Sequence, residues 1–319
     1  MGPTRTLTAA VAFFLLGTAP ASRYPIPPQP LTQLLAEAAV AARVSVLDVR
    51  FDPRTDGYQV TTLSVQRMLL GAAAESLVVM THPNIICPMD ATFREGEEGI
   101  VFLAPKAERE LHQVQGLSWG FKRGSTEAID AWQRAIEGRL ALTKEPDAAK
   151  RRALELEWIV ATAECATTCW DGAVLLCPEG DEWTSFDDEA ADPVGPKPAF
   201  AELSVEQRTR LRTVLLASTT LDAGSRALEG CFATTPDSAI DRWLLARMRG
   251  AAAGSWEGGA TILGALRRLE RRRPDLALAS PAAVIREKLD LDPKKRDAEM
   301  LEAVAAAIAA VSAFFDHGG

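Results

Sequence analysis

The feature that most constrains this chain is a change of hydrophobic period near Ser125. Before it, apolar residues alternate as they do along strands; after it, they recur at intervals of three and four residues, as on a helix face. The expected fold is therefore α+β, a small antiparallel β-barrel followed by an all-α domain.

The first part supplies the strands. Val44, Val46 and Asp48 face one way and Leu47, Val49 and Phe51 the other, and Asp56-Gly57 turns the chain into 58–65, which predicts a hairpin. Strands are also expected at 76–81, 99–104 and 111–119, separated by Gly, Pro and charged turns. Short strands with no long helix between them fit a small closed barrel over 31–124, entered through a short helix that begins at Leu31.

The second part, 125–319, reads as helices at about 126–142, 147–165, 168–178, 204–217, 222–232, 238–249, 256–273, 281–290 and 295–316. Asp147 and Asp237 each follow a proline as helix starts, and Ser204 with Gln207 has the pattern of a capping box. Met300, Val304, Ile308, Val311 and Phe315 form one apolar stripe, the mark of a core face. Successive helices joined by short turns predict a curved stack of helix pairs. An acidic, proline-bearing stretch at 178–198 interrupts them and is expected to be a surface loop.

The start of the chain bears on its compartment. Arg5, the apolar run 7–16 and the small residues Ala19 and Ala21 have the pattern of a secretory signal peptide over 1–21, with cleavage leaving Ser22 at the new N-terminus. A proline-rich leader, 22–30, follows. The first cysteine is Cys87, too distant for lipid attachment at the signal, and the Ala-rich stretch 303–313 is short for a bilayer span. The expectation is a periplasmic or secreted protein with no membrane span after cleavage. A formal charge of -8, from 35 basic and 43 acidic residues, opposes general nucleic-acid binding.

Several groups bear on chemistry. Export permits disulfides, and Cys165, Cys169, Cys177 and Cys231 are the candidates, with Cys165 and Cys169 flanking one helix turn. Cys165, Cys169 and Cys177 could instead be three thiolate ligands of zinc, but a fourth local ligand is missing and the paired C-x-x-C spacing is absent. Buried thiols are the third reading. Gly116-Leu117-Ser118-Trp119-Gly120 matches a nucleophile-elbow pattern, but no helix follows directly and the downstream histidine is His317 in the terminal tail. His82 and Cys87, with His112, form a His/Cys group that lacks an orienting acid. Asp181, Glu182, Asp187, Asp188, Glu189 and Asp192 offer oxygens to calcium without EF-hand alternation. Arg267, Arg268, Arg271, Arg272 and Arg273 crowd one helix end, where they complement the macrodipole or receive an acidic partner.

Over about residues 43–120, and most clearly from Val44 to Pro105, the chain resembles the OB-like barrel of the netrin and tissue-inhibitor-of-metalloproteinase type. The shared features are the first hairpin, the turn ending at Gly71, Cys87, and Phe93 with Gly96 before a hydrophobic strand. In the animal inhibitors of that type the acting group is an N-terminal cysteine; this chain has Ser22 there, so that activity does not carry over. The second half, through its Trp170-Asp171-Gly172-Ala173 and Leu203-Ser204 helix starts, resembles HEAT-like repeats. Together the resemblances imply surfaces for a protein partner. The expected function is non-enzymatic binding of another envelope or extracellular protein, without a cofactor or metal site. His82, Asn84 and Asp90 are the candidate binding residues. The alternatives are an inhibitor of an exported enzyme acting through the barrel loops and a serine hydrolase using Ser118.

Overall fold

A computed structural model describes residues 29–51, 57–82, 84, 89–104, 111–177, 198–250, 256–276, 278–289 and 293–316. The signal segment, most of the leader, Cys87, the 178–197 part of the acidic stretch and His317 lie outside the described residues. The architecture is α+β. One antiparallel open sheet is made of β1 (Val40–Phe51), β2 (Gln59–Leu70), β3 (Ser76–Thr81), β4 (Glu98–Leu103) and β5 (Phe121–Arg123), in the order β3-β2-β1-β4-β5.

Strict alternation fails on β1. Register shifts interrupt its pairing with β2, one of them between Val46 and Asp48, which is the signature of an extra residue bulging from the ladder. Leu47 is thereby turned out, 59% exposed, and Val49 packs on the same cluster as Val44 and Val46 rather than opposite them. The expected strand at 111–119 is reduced to two isolated bridges, Val79 with His112 and Leu103 with Val114. Gly116 and Leu117 then adopt left-handed backbone (φ 72° and 54°), which breaks the extended run and starts a short 3-10 helix, Leu117–Gly120.

The sheet is covered on both faces, which explains the unbroken apolar run of β4. Ala42, Val44, Val46, Leu63, Val79, Val101 and Leu103 form one cluster with Phe93 and Phe121. On the other face Ala41, Ile100 and Phe102 pack against Leu31 and Leu34 of α1 (Leu31–Glu37) and Ile129 and Ile136 of α2 (Thr126–Leu142). The first long helix after Ser125 thus buries its apolar side on the sheet.

The remaining helices are α3 (Ala148–Glu164), α4 (Cys169–Leu176), α5 (Pro198–Glu202), α6 (Val205–Ala217), α7 (Ala223–Gly230), α8 (Ser238–Gly250), α9 (Trp256–Arg272), α10 (Ala279–Leu289) and α11 (Pro293–Asp316). Side-chain caps set the starts of α3, α6, α7 and α8. Asp147 Oδ1 accepts from Lys150 N at 2.7 Å, Asp222 Oδ1 from Ser225 N at 2.9 Å, and Ser204 with Gln207 closes a complete capping box. Contacts run α3 to α4, α4 to α7, α9 to α10 and α10 to α11 around one core. Gly172 permits a close approach of α4 to α3: a Cβ there would lie 2.7 Å from Ile159 O and 2.8 Å from Ala163 Cα of α3.

Two features escaped the sequence reading. Asp171, buried in the first turn of α4, accepts a hydrogen bond from Leu31 N at 2.9 Å and so joins the first helix of the sheet unit to the helical stack. Burial pushes its carboxyl above the ordinary range, against the charge of Lys122, the Leu31 amide and Trp132, which pull it down. The second is α11. Its window Ala298–Phe315, with mean hydropathy 1.7, is long and apolar enough by length and composition to cross a membrane, because the helix extends well beyond 303–313. Met300, Val304, Ala307 and Val311 are nevertheless buried in the core shared with α8 and α9.

Candidate functional site

The three candidate binding residues meet at one end of the sheet, where the β1–β2 hairpin turns and β3 runs out. Asp90 closes the loop that follows β3: Oδ2 accepts from His82 N and Oδ1 from Ala91 N, both at 2.7 Å. A carboxylate held by two amides is a rigid brace. Tyr58 packs edge-on to the His82 ring, with centroids 4.7 Å apart. Gly57 (φ 95°) brings the hairpin close enough that a Cβ would sit 3.1 Å from Asn84 Nδ2 and 3.9 Å from His82 Cε1. The His82 Nδ1 atom is buried without a hydrogen-bond partner. Asn84 and Met89 are exposed, and Met89 O accepts from Ser118 N at 3.2 Å, which sets the exposed Trp119 on the neighbouring turn.

Behind this rim the sheet interior turns polar. Gln59 and Thr81 are cross-strand partners on one face, Thr61 follows on the same side of β2, and all three are buried with side-chain oxygens that lack hydrogen-bond partners. Their signal in the sequence is the polar character of alternate positions 59 and 61 ahead of inward-facing Leu63. His112 is also buried, and its backbone bonds β3 through His112 N to Val78 O and Met80 N to His112 O.

Ser118 lies on the short 3-10 helix that passes into β5. A nucleophile elbow instead delivers its serine between a strand and a long helix.

None of the four cysteines of the helical part is disulfide-bonded in the structure, and three are buried in its core. Burial, then the charge of Asp222, pushes Cys169 up to about 12, and burial, with the action of nearby Cys177, raises Cys231 well above its ordinary value. Neither is a thiolate at neutral pH, so neither is poised as a nucleophile. Among the described residues no group of three His, Cys, Asp or Glu side chains could hold a metal ion.

The arginine cluster finds its acidic partners inside the protein. Arg268 Nε and Arg272 Nη1 both bond the Glu229 carboxylate, and Arg272 Nε bonds Asp241 Oδ1 at 2.7 Å. All four side chains are essentially buried. Glu229 and Asp241 carried no distinguishing sequence signal, because they sit on α7 and α8, far along the chain from the arginines of α9. A surface groove of about 470 Å³ lies where α2 turns into α3, lined by Arg139, Thr143, Arg151, Arg152 and Glu155. Glu155 already binds Arg139 and Arg152, at 2.6 and 2.8 Å.

A scan of family models returns no match for this chain. A search of curated proteins likewise returns none.

Proposed function

We propose that this is an exported, non-enzymatic binding protein whose partner is another envelope or extracellular protein. The observation that carries the reading is the rim at the end of the sheet. There Asp90 braces both ends of the 82–90 loop, with Tyr58, His82 and Asn84 gathered at Gly57 and Met89 and Trp119 exposed beside them. Exposed apolar side chains on a braced loop are what protein contacts use as anchors.

We also read the sheet as an OB-like barrel closed through residues 112–115. Two hydrogen bonds tie that segment to each side: Ala104 N to Gln113 O and Gln115 N to Phe102 O beside β4, and the two His112 backbone bonds to β3. The neighbouring pairs α3–α4 and α9–α10 support a HEAT-like reading of the helical part, a scaffold that presents surfaces. The signal pattern at 1–21 supports export to the periplasm or beyond.

The test uses the chain from Ser22 onward as bait on its own envelope fraction, beside a Met89→Asp/Trp119→Ala variant. Specific capture by the wild type and its loss in a variant of unchanged circular dichroism and Tm is the expected result. Capture by neither protein overturns the binding reading, and equal capture by both overturns the rim. A second reading, inhibition of an exported enzyme through the same loop, is favoured by the Asp90 brace. It requires that the captured partner be an enzyme slowed by the wild type and not by the variant.

A further inference from the structure

We infer that Cys177 and Cys231 form a disulfide in the exported protein, tying the end of α4 to the end of α7. The inference goes beyond the binding role and depends only on the chain reaching an oxidising compartment.

Three contacts single out this pair. Ala173 O accepts the backbone hydrogen bond from Cys177 N at 2.9 Å and lies 3.9 Å from Cys231 Sγ, so one carbonyl touches both residues. The two side chains are near enough that Cys177 acts on the Cys231 thiol and helps keep it protonated. The helices are also aligned side by side in the same direction. A Cβ on Gly224, near the start of α7, would lie 3.2 Å from Cys169 Sγ at the start of α4, and Cys177 and Cys231 each directly follow the last residue of their helix. Cys169 therefore faces a glycine, and Cys165 is half-exposed at the end of α3. Neighbouring thiols at two helix ends stand close to disulfide separation and need little backbone movement to bond.

The chemistry fixes when the bond forms. Exchange requires a thiolate and access, and both sulfurs are buried in the finished fold, where burial also holds Cys231 protonated. The bond therefore forms before α7 closes on α4. The Cys177 thiolate attacks one sulfur of an oxidant's disulfide, giving a mixed disulfide and displacing an oxidant thiolate that takes up a proton. The Cys231 thiolate then attacks the Cys177 sulfur and releases the second oxidant thiol. Two protein thiols become one cystine, and the oxidant, a thiol–disulfide oxidoreductase or oxidised glutathione, gains two electrons and two protons. Once buried, the bond is sheltered from reductant.

The test directs the chain from Ser22 onward to an oxidising compartment with a host leader, so that the protein's own signal is not at issue. The purified protein is denatured in alkylating reagent, with and without prior reduction, and its intact mass and non-reduced peptide map are recorded. The expected result is at least two fewer alkyl groups without reduction, and a linked peptide pair containing Cys177 and Cys231. In the wild type, reduction should lower Tm by about 5–10 °C. A Cys177→Ala/Cys231→Ala variant should lose the linked pair and that reduction-dependent shift. Alkylation of all five cysteines without reduction, or a peptide joining Cys177 to any other cysteine, overturns the inference. Oxidative refolding of the denatured wild type in glutathione buffer gives the same readout should the secreted yield be low.

Discussion

Replacing Glu229 by Gln removes one charge from a buried set of four while keeping nearly the same shape. In the wild type two guanidinium groups, Arg268 and Arg272, face two carboxylates, Glu229 and Asp241, and no member of the set is more than 6% exposed. The variant takes the Glu229 charge away from both cations, and Arg272 keeps its bond to Asp241, in a core that water does not reach. Breaking a buried ion pair from one side costs about 3–5 kcal/mol, because the surviving charge keeps its desolvation penalty. For a chain of this size about 1 kcal/mol moves Tm by roughly 2–4 °C, so a loss near 10 °C is expected by circular dichroism or calorimetry. The pH dependence adds a second readout. Burial opposes ionisation of Glu229, but the charges of Arg268 and Arg272 and their hydrogen bonds outweigh it and hold the carboxyl below its ordinary 4.5. A depressed folded value means stability that is present above pH 4.5 and lost as pH falls through the folded value. Wild-type stability should therefore fall more steeply on the acid side than that of Glu229→Gln. Replacing all four groups with apolar residues of similar volume should restore stability to within about 1 kcal/mol of wild type or above it. A Glu229→Gln protein within about 1 kcal/mol of wild type in urea unfolding, with the same acid limb, would refute the coupling.

Asp171→Asn keeps an oxygen for Leu31 N–H and removes a buried carboxylate. Because burial raises the folded value, wild-type stability should decline as pH rises from the ordinary 3.8 toward it, and the Asn variant should lack that slope. Asp171→Ala, which strands the Leu31 amide, should cost about 1–3 kcal/mol by urea unfolding. Gly172→Ala drives a methyl group into the backbone of α3 and should cost about 2 kcal/mol or more by the same assay. Gly250→Ala, with open space around the new methyl, should gain about 0.5 kcal/mol. Asp90→Ala should leave Tm within a few degrees of wild type but speed hydrogen exchange at the His82 and Ala91 amides, which lose their shared acceptor.

Local chemistry was legible from the chain alone. Caps act within three residues and helical apolar stripes within a few turns. Hence the observed α2, α6 and α8 lie within a residue or so of the expected spans, with Ser125, Ser204 and Asp237 at their starts. The core stripe through Met300, Val304 and Val311 was legible for the same reason. Alternation located the hairpin, but it could not register the single extra residue at Leu47, because a bulge is a property of the pairing between β1 and β2. Nor could it foresee that 111–119 yields to a left-handed turn at Gly116.

The candidate site divides along the same line. His82 and Asp90 are eight residues apart, and a loop between strands brings such neighbours together from local sequence. The polar patch of Gln59, Thr61 and Thr81 needed the β2–β3 register, which sets these side chains on one buried face. By itself the sequence determined most of the long helices, the first hairpin, several caps and the α+β class, because propensity, capping and periodicity act over a few residues. Only the tertiary structure decided what crosses between elements: Asp171 capping α1, Glu229 and Asp241 meeting the arginines of α9, and Cys177 lying against Cys231. Charge pairs and sulfur contacts fall off over a few ångströms of space, and distance in space is fixed by packing rather than by position along the chain.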